Sequence, residues 1–262
     1  IDPIYFGVIF IINCSLGMLP LPVGLLLNVV TGGDPAEQKS FGDHLDKESR
    51  YRRTGEFLDV IKRSWSGEIY DYEGEFFQLD QGGLRRGLGD RDIPQVYFGG
   101  ASPPGLEVAS SYADVYLTWG EPLDAVAEKV RVIKEMAAGK DRSIRAGLRI
   151  HIITRDTEEE AWVEADRIIA GLDPAEVEKA RERFSRMESV GQAKMAELAH
   201  GGDDDLVIAP NLWAGIGLVR EGAGTAIVGS HEQVAERLLE YRDVGIDEFI
   251  LSGYPHMQEA DM

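Results

Sequence analysis

The chain has 262 residues, of which 44% are hydrophobic, and a formal net charge of -19 at pH 7. This length and hydrophobic content suit one large domain with a buried core, and so acidic a chain argues against nucleic acid and anionic membranes as partners. The single cysteine, Cys14, allows no internal disulfide, and no Cys/His cluster has metal-ligand spacing. We therefore expect a cytoplasmic protein without a structural metal.

The N-terminal stretch "IYFGVIFIINCSLGMLPLPVGLLLNVV" is apolar enough to suggest a membrane span. Asn13, Gly17, Pro20 and Pro22 interrupt it, however, and no unbroken run reaches the roughly 18 residues that a span needs. We predict two buried strands joined by a turn in place of a transmembrane helix.

Short apolar runs alternate with amphipathic segments along the rest of the chain. The runs "GLLLNVV", "QVYFGG", "ADVYLTW", "GLRIHIIT", "TAIVG" and "EFILSG" predict buried strands. Helices are predicted over residues 41–65, 123–138, 158–170, 175–198 and 232–244, with N-terminal caps at Thr157, Asp173 and Ser230. This order indicates a parallel α/β sheet, and in a closed barrel the ligands bind at the carboxyl ends of the strands.

The strand "GLRIHIIT" has one apolar face and one polar face. Leu148, Ile150 and Ile152 share the first, whereas Arg149 and His151 share the second. An edge strand with a solvated face, or an arginine held by a buried carboxylate, would explain the pattern without any function. In a site, the arginine would bind an oxyanion and the histidine would exchange a proton near neutral pH.

Two aromatic motifs follow strands. Trp119 ends "DVYLTW" before Gly120 and Pro122, where it would either pack in the core or form the wall of a pocket. Tyr254 and His256 follow "EFILSG" in a Gly/Pro turn, which would be either a surface connection or part of a site.

Two glycine-rich turns are candidates for binding a phosphate. "VYFGGASPPG" follows a strand and opens a helix, so the backbone amides of Gly100 to Ser102 and the Ser102 hydroxyl could hold an anion there. "REGAGTAIVGS" leads into a strand instead, which favours a hinged loop.

Together these motifs resemble the bacterial luciferase-like flavin monooxygenases, and within them the alkanesulfonate monooxygenases. The resemblance runs from about Gly24 to the C-terminus, and "LTWGEP", "NLWAGIGLVR" and "LSGYPH" are its most specific segments. It implies one α/β domain over residues 1–262, a (β/α)8 TIM barrel of the luciferase-like type. Residues 1–23 match the family poorly, and the first strand-helix units of the family have no counterpart. We expect these segments to be omitted from the sequence rather than genuinely lost.

The resemblance also implies an activity. Such an enzyme is a two-component monooxygenase: a separate NAD(P)H-dependent flavin reductase delivers reduced FMN (FMNH2), and the oxygenase uses O2 to oxidise an alkanesulfonate to an aldehyde and sulfite. A homo-oligomer is expected. The alternatives are the same flavin chemistry on another organosulfur compound, a non-catalytic flavin-binding fragment, and a phosphate-binding barrel without flavin.

By the same resemblance, the site residues fall into three groups. Arg149 and Arg220 would hold the sulfonate, with Arg220 on a mobile loop whose hinge includes Gly222 and Gly224, and Trp119 would pack against substrate or flavin. His151 would orient groups or move a proton beside the flavin, and Tyr254 and His256 would complete a polar wall. The cofactor would be held by Asn28, Thr31, Tyr51, Gly100, Ala101 and Ser102.

Overall fold

The computed structural model describes residues 26–88, 93–200, 206–218 and 220–253, and these fall into two compact units. The first unit comprises the chain up to Tyr116 together with Met136–Ile144. The second comprises Leu117–Glu135 and the chain from Arg145 onward.

The first unit contains a parallel strand pair, a hairpin and helices. In chain order its elements are β1 (Leu26–Val29), α1 (Pro35–Ser40), α2 (Lys47–Ser66), β2 (Tyr70–Glu73), β3 (Gln78–Gly82), β4 (Gln95–Gly99), α3 (Pro103–Tyr112) and the start of β5 (Val115–Trp119). β1 and β4 run parallel, with Asn28 opposite Tyr97, so the residues after both strands share one edge. α2 packs against α3, and β2 pairs antiparallel with β3.

A carboxylate of α2 fixes the hairpin. The side chain of Glu56 accepts hydrogen bonds from the backbone amides of Glu75, Phe76 and Phe77, at 2.8, 2.9 and 3.2 Å. The Arg63 guanidinium lies over the rings of Tyr70 and Tyr72. These contacts join residues well separated in sequence, so the periodicity of the strands alone does not reveal them.

The second unit is built around the long strand β6. Its elements are α4 (Leu123–Ala138, up to Glu135), β6 (Arg145–Arg155), α5 (Glu158–Ala170), α6 (Pro174–Ser185), α7 (Val190–His200), β7 (Val207–Ala209), β8 (Leu212–Trp213), a 3-10 turn (Gly215–Leu218), β9 (Ala226–Ser230), α8 (His231–Asp243) and β10 (Glu248–Ser252). β6 pairs in parallel with β10 over Gly147–His151 and with β9 over His151–Arg155. β8 runs antiparallel to β9, and β7 antiparallel to β8.

The core of the second unit lies under the apolar side of β6. Leu148 and Ile150 are fully buried there, and the helices α4 and α8 contribute side chains to the same cluster. The cluster consists of Val126, Val130, Ala146, Leu148, Ile150, Leu212, Ile227, Val234, Tyr241 and Ile246. Burial of one face of β6 leaves its other face, which carries Arg149 and His151, for polar contacts.

The six predicted strands and the helix caps are formed, but the prediction that "EFILSG" is buried is wrong, because Ile250 and Leu251 are 38% and 46% exposed. Thr157 and Ser230 each form a complete capping box, and the Asp173 side chain accepts from the amide of Ala175. Two helix boundaries are corrected. The helix predicted over 41–65 is α2, which begins only after the Asp46 cap, and the helix predicted over 175–198 is divided into α6 and α7.

The described part of the chain contains neither a helix that could span a membrane nor a cluster suited to a metal ion. No helix within it is long and apolar enough to cross a membrane. The same ranges contain no group of three or more His, Cys, Asp or Glu residues suited to a metal ion. Cys14 and the two strands predicted in the N-terminal stretch lie outside the described residues, apart from Leu26–Val29.

Candidate active site

The first unit places a turn with one hydroxyl that is unpartnered within the described residues at the carboxyl edge of β1 and β4. Gly100, Ala101 and Ser102 connect β4 to α3, and Thr31 lies buried just beyond the end of β1. Ser102 is the N-cap residue of α3, yet its side chain makes no capping hydrogen bond. Its hydroxyl oxygen is buried and has no partner in the described ranges. A buried polar atom without a partner is costly, so an unfilled donor position here indicates a ligand.

Close backbone packing shapes this turn. A Cβ atom added to Gly105 would lie 3.2 Å from backbone atoms of Gly100, and one added to Gly100 would lie 3.3 Å from the Cα of Gly105. The same added Cβ on Gly100 would be 3.4 Å from the Tyr51 hydroxyl, so that hydroxyl lies beside the turn. The Tyr116 hydroxyl donates to the carbonyl of Gly100 (3.4 Å). The N-terminus of α3 adds backbone N–H groups and a positive dipole end, which suit an oxyanion.

These residues are the predicted phosphate cradle: Tyr51, Gly100, Ala101 and Ser102 come together around the start of α3. Tyr51 is held by an edge-to-face contact with Phe98, with the ring centroids 6.4 Å apart. Thr31 lies on the same edge of the parallel pair, and Asn28 lies within β1 itself, partly buried. We call Tyr51, Gly100, Ala101 and Ser102 the neutral cradle, because its donors are hydroxyl and backbone groups.

The second unit brings Arg149, His151 and Arg220 together. The polar face of β6 predicts the first two as neighbours, whereas Arg220 is expected here from the family resemblance. His151 is fully buried, and its Nε2 atom lies 3.0 Å from Nη1 of Arg220. Burial and the nearby charge of Arg220 lower the pKa of Arg149 from its ordinary value. Within the described residues, neither guanidinium forms an ion pair with a carboxylate. We call Arg149, His151 and Arg220 the cationic cluster.

Two partners compete for one nitrogen of His151. Nε2 lies 3.0 Å from the carbonyl oxygen of Ala223 as well as 3.0 Å from Arg220 Nη1. A carbonyl only accepts and a guanidinium only donates, so a neutral ring satisfies one of them at a time. Nδ1 lies 3.4 Å from Ser252 Oγ, a hydroxyl that can donate or accept. When the proton moves from one ring nitrogen of His151 to the other, Nε2 changes its hydrogen-bond partner between Arg220 and Ala223. The direction of the hydrogen bond between Nδ1 and Ser252 reverses at the same time.

The loop over residues 220–225, which we call the Arg220 loop, is joined closely to its surroundings. At its base, the amide of Gly217 donates to the carbonyl of Gly224 (2.8 Å), and a Cβ on Gly224 would lie 2.8 Å from the Cα of Gly217. Gly222 has φ +94°, which glycine adopts easily. Gly224 lies so close to the backbone of Gly217 that a Cβ atom would not fit there. Thr225 is buried, and its hydroxyl donates to the carbonyl of Gly120 (2.7 Å).

The motif "LTWGEP" makes close contacts within the second unit. Gly120 donates its amide to the carbonyl of Arg149 (3.1 Å), and a Cβ on Gly120 would be 2.4 Å from Ile150. Glu121 is buried and pairs with Lys129, while its carbonyl accepts from Tyr241 (2.6 Å). Trp119 is partly buried at the end of β5, and an added Cβ on Gly191 would lie 3.1 Å from its ring. Trp119 therefore packs on the N-terminal turn of α7.

Sequence reasoning missed two residues of this region. Ser252 pairs in register with His151 at the end of β10, one residue short of the turn that we singled out. Gln192 is buried on α7, and its Oε1 accepts from the amide of Gly222 (2.8 Å). The available signal was a polar residue on an apolar helical stripe, Gln192, Met195 and Ala199. Tyr254 and His256 lie outside the described residues.

The comparisons with known proteins agree with this architecture. The family model for luciferase-like monooxygenases matches residues 24–248, and the chain belongs to that family. Its fold is the luciferase-like, TIM-barrel-type α/β fold that the resemblance implies, with a mixed, mostly parallel sheet. This confirms the predicted fold class.

Three solved structures are similar to the chain over most of its length. A riboflavin lyase with modified FMN and the substrate riboflavin is 20% identical with a TM-score of 0.67, covering 86% of this chain and 58% of that one. An EDTA monooxygenase from Chelativorans sp. BNC1 is 20% identical with a TM-score of 0.62, covering 88% and 63%. An F420-dependent secondary alcohol dehydrogenase with an F420-acetone adduct is 20% identical with a TM-score of 0.57, covering 90% and 65%. The chain thus spans less than two thirds of the length of each.

Proposed function

We propose that this chain acts as the oxygenase of a two-component, FMNH2-dependent monooxygenase, and that its substrate is an alkanesulfonate. The observation that carries the proposal is the cationic cluster. Two guanidinium groups lie near each other on a chain of net charge -19 without a carboxylate partner among the described residues. Such an arrangement is unfavourable in the absence of an anion, and a sulfonate offers three oxygens to the planar forks of two arginines.

The neutral cradle fits the phosphate of FMN. The free Ser102 hydroxyl, the Tyr51 hydroxyl and the backbone amides at the start of α3 are donors that a phosphate would satisfy. Asn28 and Thr31 would line the same cofactor from β1. The family and the modified FMN in the riboflavin lyase structure support FMN as the cofactor, whereas F420 in the dehydrogenase is the alternative to be tested. When bound, reduced FMN supplies the electrons that activate O2.

The residues of the cationic cluster would then have separate roles in binding and converting the substrate. Arg149, on the rigid strand β6, and Arg220, on its loop, hold the sulfonate oxygens. His151 holds or moves a proton at Nε2, because that atom meets both a donor and an acceptor. Trp119 forms an apolar wall for the alkyl chain, and closure of the Arg220 loop excludes water. Tyr254 and His256 remain predicted members of the polar wall.

A coupled assay tests this function. The purified chain is supplied with FMN, O2, NAD(P)H and a flavin reductase, and sulfite release is measured with octanesulfonate and with shorter and longer alkanesulfonates. Octanoate and octanol, matched in chain length, are the anionic and neutral competitors. We expect sulfite release that depends on all components, with stronger inhibition by octanoate than by octanol.

The other outcomes separate the alternatives. Binding of reduced FMN without sulfite release from any alkanesulfonate would favour another organosulfur substrate or a non-catalytic flavin-binding fragment. No binding of reduced FMN, with or without octanesulfonate, would favour a phosphate-binding barrel without flavin. Binding of reduced F420 in place of FMN would overturn the cofactor assignment.

A further inference from the structure

Gln192 has a buried side chain, and only one of its two polar atoms has a hydrogen-bond partner in the described residues. It is only 2% exposed. Its Oε1 atom accepts a hydrogen bond from the amide of Gly222 in the Arg220 loop, at 2.8 Å. Its Nε2 atom is buried and has no hydrogen-bond partner in the part of the chain that the structure describes. One carboxamide therefore both stabilises the loop position and carries an unsatisfied donor.

The helix α7 is the surface on which the loop rests. The 3-10 turn that leads to the loop packs on α7, and an added Cβ on Gly217 would lie 3.3 Å from Ala199 of that helix. An added Cβ on Gly224 would lie 3.7 Å from Met195. Those contacts are apolar and flank the base of the loop. The bond from Gly222 to Gln192 is a direct polar contact at the tip, two residues from Arg220.

We infer that Gln192 is a positioning residue that latches the Arg220 loop onto α7 and so sets the place of the Arg220 guanidinium. Closure forms one hydrogen bond but leaves the buried Nε2 donor without a partner in the described residues, which offsets part of what that bond contributes. Opening lets water reach the whole carboxamide. This offset weakens the latch without removing it, which suits a loop that must open in every turnover.

The other contact at the tip of the loop, between Ala223 and His151, cannot replace the hydrogen bond between Gly222 and Gln192. The Ala223 carbonyl contacts His151 only when Nε2 carries the proton, whereas Arg220 contacts the same atom only when it does not. The Gly222 amide, in contrast, binds Gln192 in either tautomer. The latch thus keeps the loop closed while the proton on His151 changes place. Its relevance to catalysis rests on the proposed function, but the latch itself does not.

Tryptic cleavage after Arg220 measures the open loop directly, because the protease needs an exposed, extended segment and native cleavage follows the population of the open form. Cleavage of the folded protein is followed by mass spectrometry of the new N-terminus at Glu221. Gln192→Met removes the acceptor, and we expect about 5–10-fold faster cleavage at this bond, the effect of one hydrogen bond. Gln192→Glu retains an acceptor for Gly222 and should stay within about twofold of the parent. Glu197→Met, on the exposed side of α7, is the control.

The results separate the latch from a merely structural role. Gln192→Met cleaving like the parent at Arg220, or all three variants accelerating cleavage throughout the chain alike, would overturn the latch. In the coupled assay, Gln192→Met should raise KM for the sulfonate more than it lowers kcat, and Gln192→Glu should recover the parental KM. If the cleavage pattern holds but octanesulfonate neither slows cleavage nor yields sulfite, the latch stands and the proposed function fails.

Discussion

The neutral cradle and the cationic cluster are both suited to anions, but they use different groups. The cradle has hydroxyl and backbone donors held by close packing, such as that between Gly100 and Gly105. The cluster has two guanidinium groups and a buried imidazole, and one of its arginines belongs to a loop. Both contain polar groups that lack a full set of partners in the described ranges.

The difference corresponds to two kinds of ligand. Packed neutral donors suit a phosphate that is held in the same position each time it binds, because they need no rearrangement and add no charge when the ligand is absent. Charged groups on a loop suit an anion that must enter and leave, since closure can follow binding. Under the proposed function, the first ligand is FMN and the second is the sulfonate.

The largest effect is expected from removal of both charges of the cluster. In the Arg149→Met, Arg220→Met double variant, kcat/KM for sulfite release should fall by about 100- to 20,000-fold, since two hydrogen bonds to a charged group contribute roughly 3–6 kcal/mol. The Kd for reduced FMN, measured by anaerobic titration, should change by less than about twofold. Arg131→Met, at an exposed ion-paired arginine, is the control. An equal loss of flavin affinity would contradict the division between the two regions.

The complementary experiment changes the neutral cradle and leaves the cationic cluster intact. Ser102→Ala should raise the Kd for reduced FMN by about tenfold, because one hydrogen bond to a charged phosphate contributes roughly 1.5 kcal/mol or more. At saturating flavin, KM for the sulfonate should stay unchanged. Ser110→Ala lies on the same helix, and its buried hydroxyl already donates to the carbonyl of Glu107 (3.1 Å), so it should not affect flavin binding. A rise in sulfonate KM with unchanged flavin affinity would reject the cradle assignment.

These tests depend on residues that the sequence reveals to very different degrees. Arg149 and His151 follow from the alternation in β6 alone, and the caps at Thr157 and Ser230 are local signals that fix helix starts. Arg220 became a candidate only through the family resemblance, because the sequence of a glycine-rich loop does not show which strand the loop contacts. The division of α6 from α7 was missed, since the apolar pattern continues through the break.

Long-range partners explain most of what the sequence did not predict. The β2–β3 hairpin depends on Glu56, about 20 residues before the amides that it binds. Gln192 is 30 residues from Gly222, and Ser252 is 101 residues from His151. Periodicity reports which face of an element is buried, but not which polar group on another element completes a hydrogen bond. Only the folded chain brings those pairs together.

A third test concerns stability without ligands. Arg149→Met should raise the free energy of unfolding by about 1 kcal/mol, because it removes a partly buried charge that is repelled by Arg220 and replaces it with an apolar side chain of similar length. Urea denaturation of the ligand-free protein measures the change. Octanesulfonate should stabilise the parent by about 2.7 kcal/mol at 100 times its Kd and the variant much less. A less stable variant would mean that Arg149 has a structural partner instead of a free role.

The smallest effect, and the sharpest contrast with the cluster, is expected for the stability of Ser102→Ala. Replacing an N-cap serine by alanine ordinarily costs about 1 kcal/mol, because the hydroxyl oxygen accepts from an amide of the first turn. Ser102 makes no such bond, and its buried hydroxyl is unsatisfied, so its loss should change the free energy of unfolding by less than about 0.5 kcal/mol. Ser230→Ala is the matched control, because Ser230 does cap its helix, and it should show the ordinary cost. A loss of stability at Ser102 as large as at Ser230 would make Ser102 a structural cap and leave the cradle without its free donor. A near-zero change together with weakened flavin binding would show that this serine is kept for a ligand, at a neutral site that costs the ligand-free protein less than the charged one.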